Sequence, residues 1–551
     1  MDLISQGTDP DLPSARPSPL LESDPPIARA PISAGWRAAV VIALVIGVAA
    51  RFATWSHLWF DEALTVNIAR LPLGEIHEAL RHDGAPPLYY VVLHAWMVVF
   101  GDSNLAVRML PGLFGLAALP LTFLAARRIG GRRVAWAATL LMASGPFAIR
   151  YATESRMYSM VMVLVLLALL AVLALLEGGG RRHQVALALL TTAILLSHYW
   201  SLYLLAVSVA ALAWLARSGR DPNAVAGLRD PNAVAGHAVA GARRSLVAIF
   251  AGCVLFLPWA PTFLYQLAHT GTPWGRPGNL RSMFDTVTHF AGGYWDPGIA
   301  LGLMYFGLIG LALFGWAVEG RGRRVLLDFH PRSPGKWLTT VAFGTLAVAI
   351  VAGQVGRSAF AVRYAAVLYP LFVILVALGT NAIADQRVFH GVLAVAVVLG
   401  FWANIPNVVG DRTSAGRVAS AINAGARAGD VIAYCPDQLG PSVSREIRTE
   451  GLIQLTFPSA TGPELVDWVD YERFSRAGRT QPFAQMLSER AGPANDVWLV
   501  WAPGYRTFGT KCSNLVERLD DIRPDNTRVI TVSTKYFERP GLVRFRPAAA
   551  S

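Results

Sequence analysis

The sequence predicts a polytopic α-helical membrane protein, with about eleven transmembrane helices followed by a small extracytoplasmic α/β domain. Three observations predict it. Of the 551 residues, 54% are apolar and only 15% charged, against roughly 25% charged in ordinary soluble domains. Apolar runs of about twenty residues recur from Trp36 to Pro406, each long enough at 1.5 Å per residue to cross a hydrocarbon core about 30 Å thick. After Pro406 the pattern changes to short alternating helices and strands.

The chain therefore divides into three parts. Residues 1–35 carry seven prolines and more acids than bases, which predicts a disordered cytoplasmic tail. They have neither the basic start nor the apolar stretch of a secretory signal, so Trp36 to Trp55 is expected to remain as the first membrane helix. Residues 36–408 form the membrane domain, and residues 409–551 the α/β domain. Its strands are read at DVIAY from Asp430 and DVWLVW from Asp496.

A net charge of +12 raises the question of a nucleic-acid partner. Between Asp411 and Arg546 there are 18 basic and 16 acidic residues, so the excess lies in the short loops between apolar runs. That is a positive-inside bias, and it argues against nucleic acid. Basic clusters at Arg127 to Arg133, Arg181 and Arg182, Arg217 to Arg244, Arg321 to Lys336, and Arg387 are placed in the cytoplasm. Pro86 to Gly101 is apolar, but its core from Leu88 to Phe100 reaches only about 20 Å as a helix. Counting it as a span would put the Arg127 cluster outside, so it is read as an interfacial helix.

Two long outer segments result, Ser56 to Asn104 and His269 to Pro297. The first reads as two amphipathic helices, with Phe60, Leu64, Ile68 and Leu71 on one apolar face and Leu73, Ile76 and Leu80 on the next. Their polar faces are expected to turn the acids toward water. The octapeptide RDPNAVAG, at Arg220 to Gly227 and again at Arg229 to Gly236, is read as a tolerated duplication in a solvated loop.

Adjacent carboxylates such as Asp61 and Glu62 ordinarily mark a helix start. Nine acids on the outer face between Asp61 and Asp296 nevertheless suit work on sugar hydroxyls. In IHEALRH, His77 and His82 are five residues apart, about 140° round a helix, so they do not form the zinc-binding pair of an H-E-x-x-H motif. Five arginines fall in outer turns against the charge rule: Arg108, Arg150, Arg156, Arg357 and Arg363. Pairing with an acid such as Glu154 explains some. A guanidinium fork for a phosphate explains Arg156 and Arg363, each with a tyrosine nearby.

WFDEALT, HDGAPPLYYVVLHAW, GDSNLAVRMLP, RRIGGRR, SGPFAIRYATESRMYS, LLSHYWS and AVRYAAVLYP, in this order, resemble the GT-C membrane glycosyltransferases. The likeness is to the branch of the protein O-mannosyltransferases and the lipid A aminoarabinose transferase, over residues 36 to 408. It implies an inverting transferase that moves a sugar, with mannose expected, from a polyprenyl phosphate to a glycan, lipid or protein of the cell envelope. Asp61 is implied as the catalytic base, with Glu62 as the alternative. Arg156, Tyr158, Arg363, Tyr364 and Arg108 are implied around the donor phosphate, and His82, Asp83 and His198 as substrate-binding candidates. Relatives often carry Lys or His directly before the proline pair, where this chain has Ala85, so sugar and acceptor do not transfer with the motif.

No cofactor and no metal ligand set is implied, and a divalent metal is left open. Cys435 and Cys512 both fall in the α/β domain and are expected to pair in an oxidising compartment. The expected location is a bacterial plasma membrane with the site outside. A lipid-linked-sugar flippase or a glycan-binding membrane protein without catalysis are the competing readings; a flippase would bind near the bilayer midplane.

Overall fold

The computed structural model describes residues 33–218, 231–321, 324–328 and 334–547. The proline-rich tail and the first copy of the duplicated octapeptide lie outside them. Pro231, in the second copy, begins a helix that runs to Phe256, so this part is helical and not loop. Among the described residues, those up to Ile42 form one compact unit and those from Ala43 onward a second.

Among the described residues, six helices are long and apolar enough to cross a membrane: Asn104–Ser144, Tyr158–Leu176, Gly236–His269, Asp296–Phe314, Gly335–Gly356 and Gln386–Val409. Shorter apolar helices are Ala34–Ala50, Leu88–Phe100, Ser201–Arg217 and Tyr369–Thr380. The 41 residues of Asn104–Ser144 are two helices in sequence. Gly131 between them has φ 78° and ψ −173°, a backbone that glycine adopts without steric cost. The break falls between Arg127–Arg128 and Arg132–Arg133, where charge ends both apolar runs. Trp316–Arg321 (β1) and Arg324–Asp328 (β2) form an antiparallel hairpin.

Leu88–Phe100 buries Tyr89, Tyr90 and Leu93 and leaves Val98, Val99 and Phe100 exposed. Its neighbour Phe60–Arg70 departs from the amphipathic expectation. Phe60 and every residue from Glu62 to Ala69 are buried, so the helix has no watery face and its acids do not look into solvent. Leu73, read as apolar-face, is exposed, whereas Ile76 and Leu80 are buried.

The reason is the C-terminal domain, which packs on this helix. Its sheet has the order Ile453–Thr456 (β4), Val431–Cys435 (β3), Val497–Trp501 (β5), Gly541–Phe545 (β7), Asn526–Ile530 (β6). β3 runs parallel to β4 and β5, while β5–β7 and β6–β7 are antiparallel. Side chains alternate across a strand. Ile432, Tyr434, Trp498 and Val500 accordingly pack on helix Ala415–Gly425. Val431, Ala433, Val497 and Leu499 join a core with Phe60, Leu64, Ile68, Ile76 and Leu80. Helices Phe60–Arg70 and Leu73–Asp83 and the C-terminal domain thus share one hydrophobic core. Within it, the Cys435 and Cys512 sulfurs are bonded, with Cα atoms 5.4 Å apart.

Candidate active site

Asp61 and Glu62 lie in the first turn of Phe60–Arg70, where successive side chains diverge by about 100°. Glu62 is completely buried. Its Oε1 accepts from Arg108 Nε at 2.8 Å and the Ser155 amide at 2.9 Å, and its Oε2 accepts from Arg108 Nη2 at 2.6 Å. Arg412 Nη1 stands 3.8 Å from the same oxygen. Burial pushes the Glu62 carboxyl up, but Arg108, Arg412 and the Ser155 amide outweigh it and hold the group below its ordinary range. A carboxylate so enclosed cannot reach a substrate, which corrects its assignment as an alternative base. Arg108 is likewise consumed. Besides Glu62 it donates to the Ser56 carbonyl at 2.5 Å and the His57 carbonyl at 3.2 Å, and it has no free fork for a phosphate.

Asp61 looks the other way. Its side chain retains 13% exposure, Oδ2 lies 3.4 Å from Arg363 Nη2, and that oxygen accepts no hydrogen bond. Arg363 stands between aromatic faces, 5.1 Å from the Trp274 ring centre, 5.6 Å from Tyr364 and 5.9 Å from Trp59. Arg156 Nη1 donates to Thr65 Oγ1 at 2.6 Å and approaches the Asp61 carbonyl at 3.4 Å and the Tyr90 hydroxyl at 3.5 Å. The Nε atoms of Arg156 and Arg363 and the Tyr158 hydroxyl are buried without hydrogen-bond partners. Two guanidiniums with unused donors beside an underused carboxylate make a cluster suited to an anionic, hydroxylated ligand.

His198 is buried between Tyr158 and Tyr364, its ring centre 5.9 and 5.3 Å from theirs. Burial, then the charges of Arg156 and Arg363, push its pKa down to about 3. Its Nδ1 accepts from the Trp200 amide at 3.2 Å, which leaves the proton on Nε2, so His198 is a neutral donor. Asp83 accepts from the Tyr90 hydroxyl at 2.9 Å. Burial raises its carboxyl, with Arg156 opposing.

His82 falls elsewhere. Nδ1 meets Asp467 Oδ1 at 2.9 Å and Nε2 lies 3.6 Å from Glu78 Oε1. It is a tie to the C-terminal domain and is not a group facing Arg156, which corrects its reading as substrate-binding. Of the remaining outer arginines, Arg150 pairs with Glu154 at 3.3 Å and Arg357 is exposed. No group of three His, Cys, Asp or Glu residues is gathered to hold a metal among the described residues.

Sequence reasoning missed Arg412, Thr65, Tyr90 and the Trp59–Trp274 pair. Arg412 was within reach. It follows the last apolar run directly, on the side where the other five arginines break the charge rule.

This architecture is that of solved multi-pass membrane proteins. Crystal structures of ArnT from Cupriavidus metallidurans, bound to undecaprenyl phosphate and in the apo state, match with TM-scores of 0.54 and 14% identity, over 93% of this chain and 98% of theirs. More distant are the arabinofuranosyltransferase AftD from Mycobacteria (TM-score 0.47, 15% identity, 95% of this chain and 40% of that one) and the Archaeoglobus fulgidus oligosaccharyltransferase in complex with Zn and sulfate (0.45, 12%, 84% and 67%). No family model and no curated protein matches the sequence.

Proposed function

We propose that the chain transfers a sugar from a polyprenyl-phosphate carrier to a hydroxyl of an envelope glycan, lipid or protein, on the outer face of a bacterial plasma membrane. The observation that carries this reading is the meeting of Asp61 with Arg156 and Arg363. The undecaprenyl phosphate bound to ArnT supports a lipid-phosphate donor for a chain of the same fold.

In the reaction proposed, Asp61 takes the proton of the acceptor hydroxyl as its oxygen attacks the anomeric carbon. The bond from that carbon to the phosphate oxygen breaks, and the electron pair leaves with the phosphate. Arg156 and Arg363 carry the growing negative charge, and His198 donates as a neutral imidazole. Attack opposite the leaving phosphate inverts the anomeric centre, and mannose is the sugar proposed.

The test is transfer by purified full-length protein supplied with synthetic polyprenyl-phosphate mannose and, separately, arabinose and aminoarabinose donors. Inverted product from a lipid-phosphate donor, abolished in Asp61→Asn, is the result expected. Absence of transfer and of sugar release from every such donor overturns it. Movement of the lipid-linked sugar across a vesicle membrane without bond cleavage would assign a flippase instead.

A further inference from the structure

We infer that Arg412 and Glu538 of the C-terminal domain are positioning residues that grip the first turn of the Asp61 helix from two sides. The inference rests on the reading of Asp61 as the base. It gives the C-terminal domain a part in the reaction.

The two residues are carried on one short bridge. Thr413 pairs in parallel with Glu538, the Glu538 amide donates to the Arg412 carbonyl at 3.0 Å, and the Ser414 amide donates to the Glu538 carbonyl at 3.1 Å. From this bridge the side chains diverge. Arg412 Nη1 donates to the Thr153 carbonyl at 2.8 Å and Nη2 to Thr153 Oγ1 at 2.6 Å, with Glu62 at 3.8 Å and Glu154 at 4.0 Å. Its amide donates to Ser56 Oγ at 2.8 Å. One residue therefore ties three places: its amide holds the segment before the Asp61 helix, and its guanidinium stands against the helix and the turn leading to Arg156.

Glu538 approaches from the other side. Its Oε1 accepts from Ser442 Oγ at 2.7 Å, Oε2 is buried without a hydrogen bond, and the carboxyl lies beside the amide of Phe60, with Asp61 in electrostatic range. Phe60 is the first residue of the helix, and Trp59 before it supplies no side-chain cap. Amides at a helix start have no partner within the helix, and an acceptor there is stabilising. Glu538 brings its carboxyl beside this uncapped end from nearly five hundred residues away in sequence. Phe537 adds a steric stop, its ring edge-on to Trp59 at 5.1 Å. Asn67, further along the helix, donates to the Glu464 carbonyl at 2.8 Å.

Rotation of this turn would swing Asp61 away from Arg363, and a displacement of about 1 Å costs on the order of 10²-fold in rate. The test uses full-length protein in nanodiscs with a polyprenyl-phosphate sugar donor. Glu538→Ala is expected to lower kcat by about 10²-fold while donor KM changes by less than about threefold. Glu538→Gln, which keeps an oxygen acceptor, is expected to restore most of the turnover. Wild-type kcat in Glu538→Ala overturns the inference, as does equal loss in Ala and Gln variants with matching loss of thermal stability. Carbodiimide labelling of Asp61, read by mass spectrometry, needs no transfer and separates this inference from the function on which it rests. Labelling should rise in Glu538→Ala and return in Glu538→Gln whether or not a sugar is transferred. Unchanged labelling overturns the positioning role even if the enzyme assay succeeds.

Discussion

At the scale of single residues, Asp61 and Glu62 have the same charge and neighbouring places, yet they perform different work. One is underused beside Arg363 and the other is enclosed by Arg108 and Arg412. Replacing a general base costs about 10²- to 10⁴-fold, so Asp61→Asn should lose turnover in that range while folding and binding donor normally. Glu62→Gln should instead lose stability. It removes the carboxylate hydrogen-bonded to buried Arg108 and leaves Arg412 with Glu154 alone at 4.0 Å, at a cost of about 3–5 kcal/mol. Thermal denaturation and turnover per folded molecule separate the two, and a fully stable but inactive Glu62→Gln would defeat the assignment. Arg156→Lys and Arg363→Lys keep charge and lose the fork. Each should raise the donor KM, measurable with a lipid-phosphate titration.

At the scale of elements, the joints matter more than the helices. Leu73–Asp83 ends at Gly84, whose φ of 83° is left-handed and whose amide bonds the Leu80 carbonyl. A Cβ there would meet Thr270 Oγ1 at 2.6 Å. Gly84→Ala should cost about 1–2 kcal/mol from the backbone alone, with the clash in addition. Gly74→Ala, inside the same helix with open space around it, should be neutral or stabilising by up to about 1 kcal/mol. Equal melting temperatures for the two variants would show that the joint is not constrained. Gly131 makes the turn between two apolar helices, and the eleven-span topology places it in the cytoplasm. A cysteine at Arg132 should resist an impermeant reagent in intact cells, while one at exposed Arg448 should react. Ser442, on the same side in that topology, is buried and would be a poor reporter.

At the scale of the whole molecule, the shared core makes docking of the C-terminal domain sensitive to pH. Burial pushes Asp437 and Glu538 each up to about 7. Both hold protons to higher pH when folded than when unfolded, where carboxyls titrate near 4. Stability is therefore fully present below that value and is lost as pH rises toward 7. The contribution is on the order of 4 kcal/mol each at most. His57, raised by its bond to Glu446, acts in the same direction, since its stabilisation is lost as pH rises through its folded pKa. Glu446, held down to about 2 by His57, acts oppositely and only below its ordinary range. Resistance of the domain to proteolysis should fall between about pH 5 and 7.5, and Asp437→Asn with Glu538→Gln should flatten that slope. Reduction of Cys435–Cys512, which closes a separation of 77 residues, should cost about 2–4 kcal/mol.

The sequence alone determined what depends on local pattern. Apolar runs set the membrane helices, alternation in DVIAY and DVWLVW set the central strands, and ordered motifs pointed to the fold and to Asp61, Arg156 and Arg363. Only the tertiary structure decided which charges are free and which are spent. Glu62 and Arg108 are 46 residues apart, Arg412 and Thr153 are 259, and His82 and Asp467 are 385. A charge taken out of water must find its partner at hydrogen-bond distance, and nothing in the local spacing of either residue records where that partner will be. The face of the Asp61 helix expected to meet water is buried for the same reason, because the surface that covers it is folded from the last third of the chain.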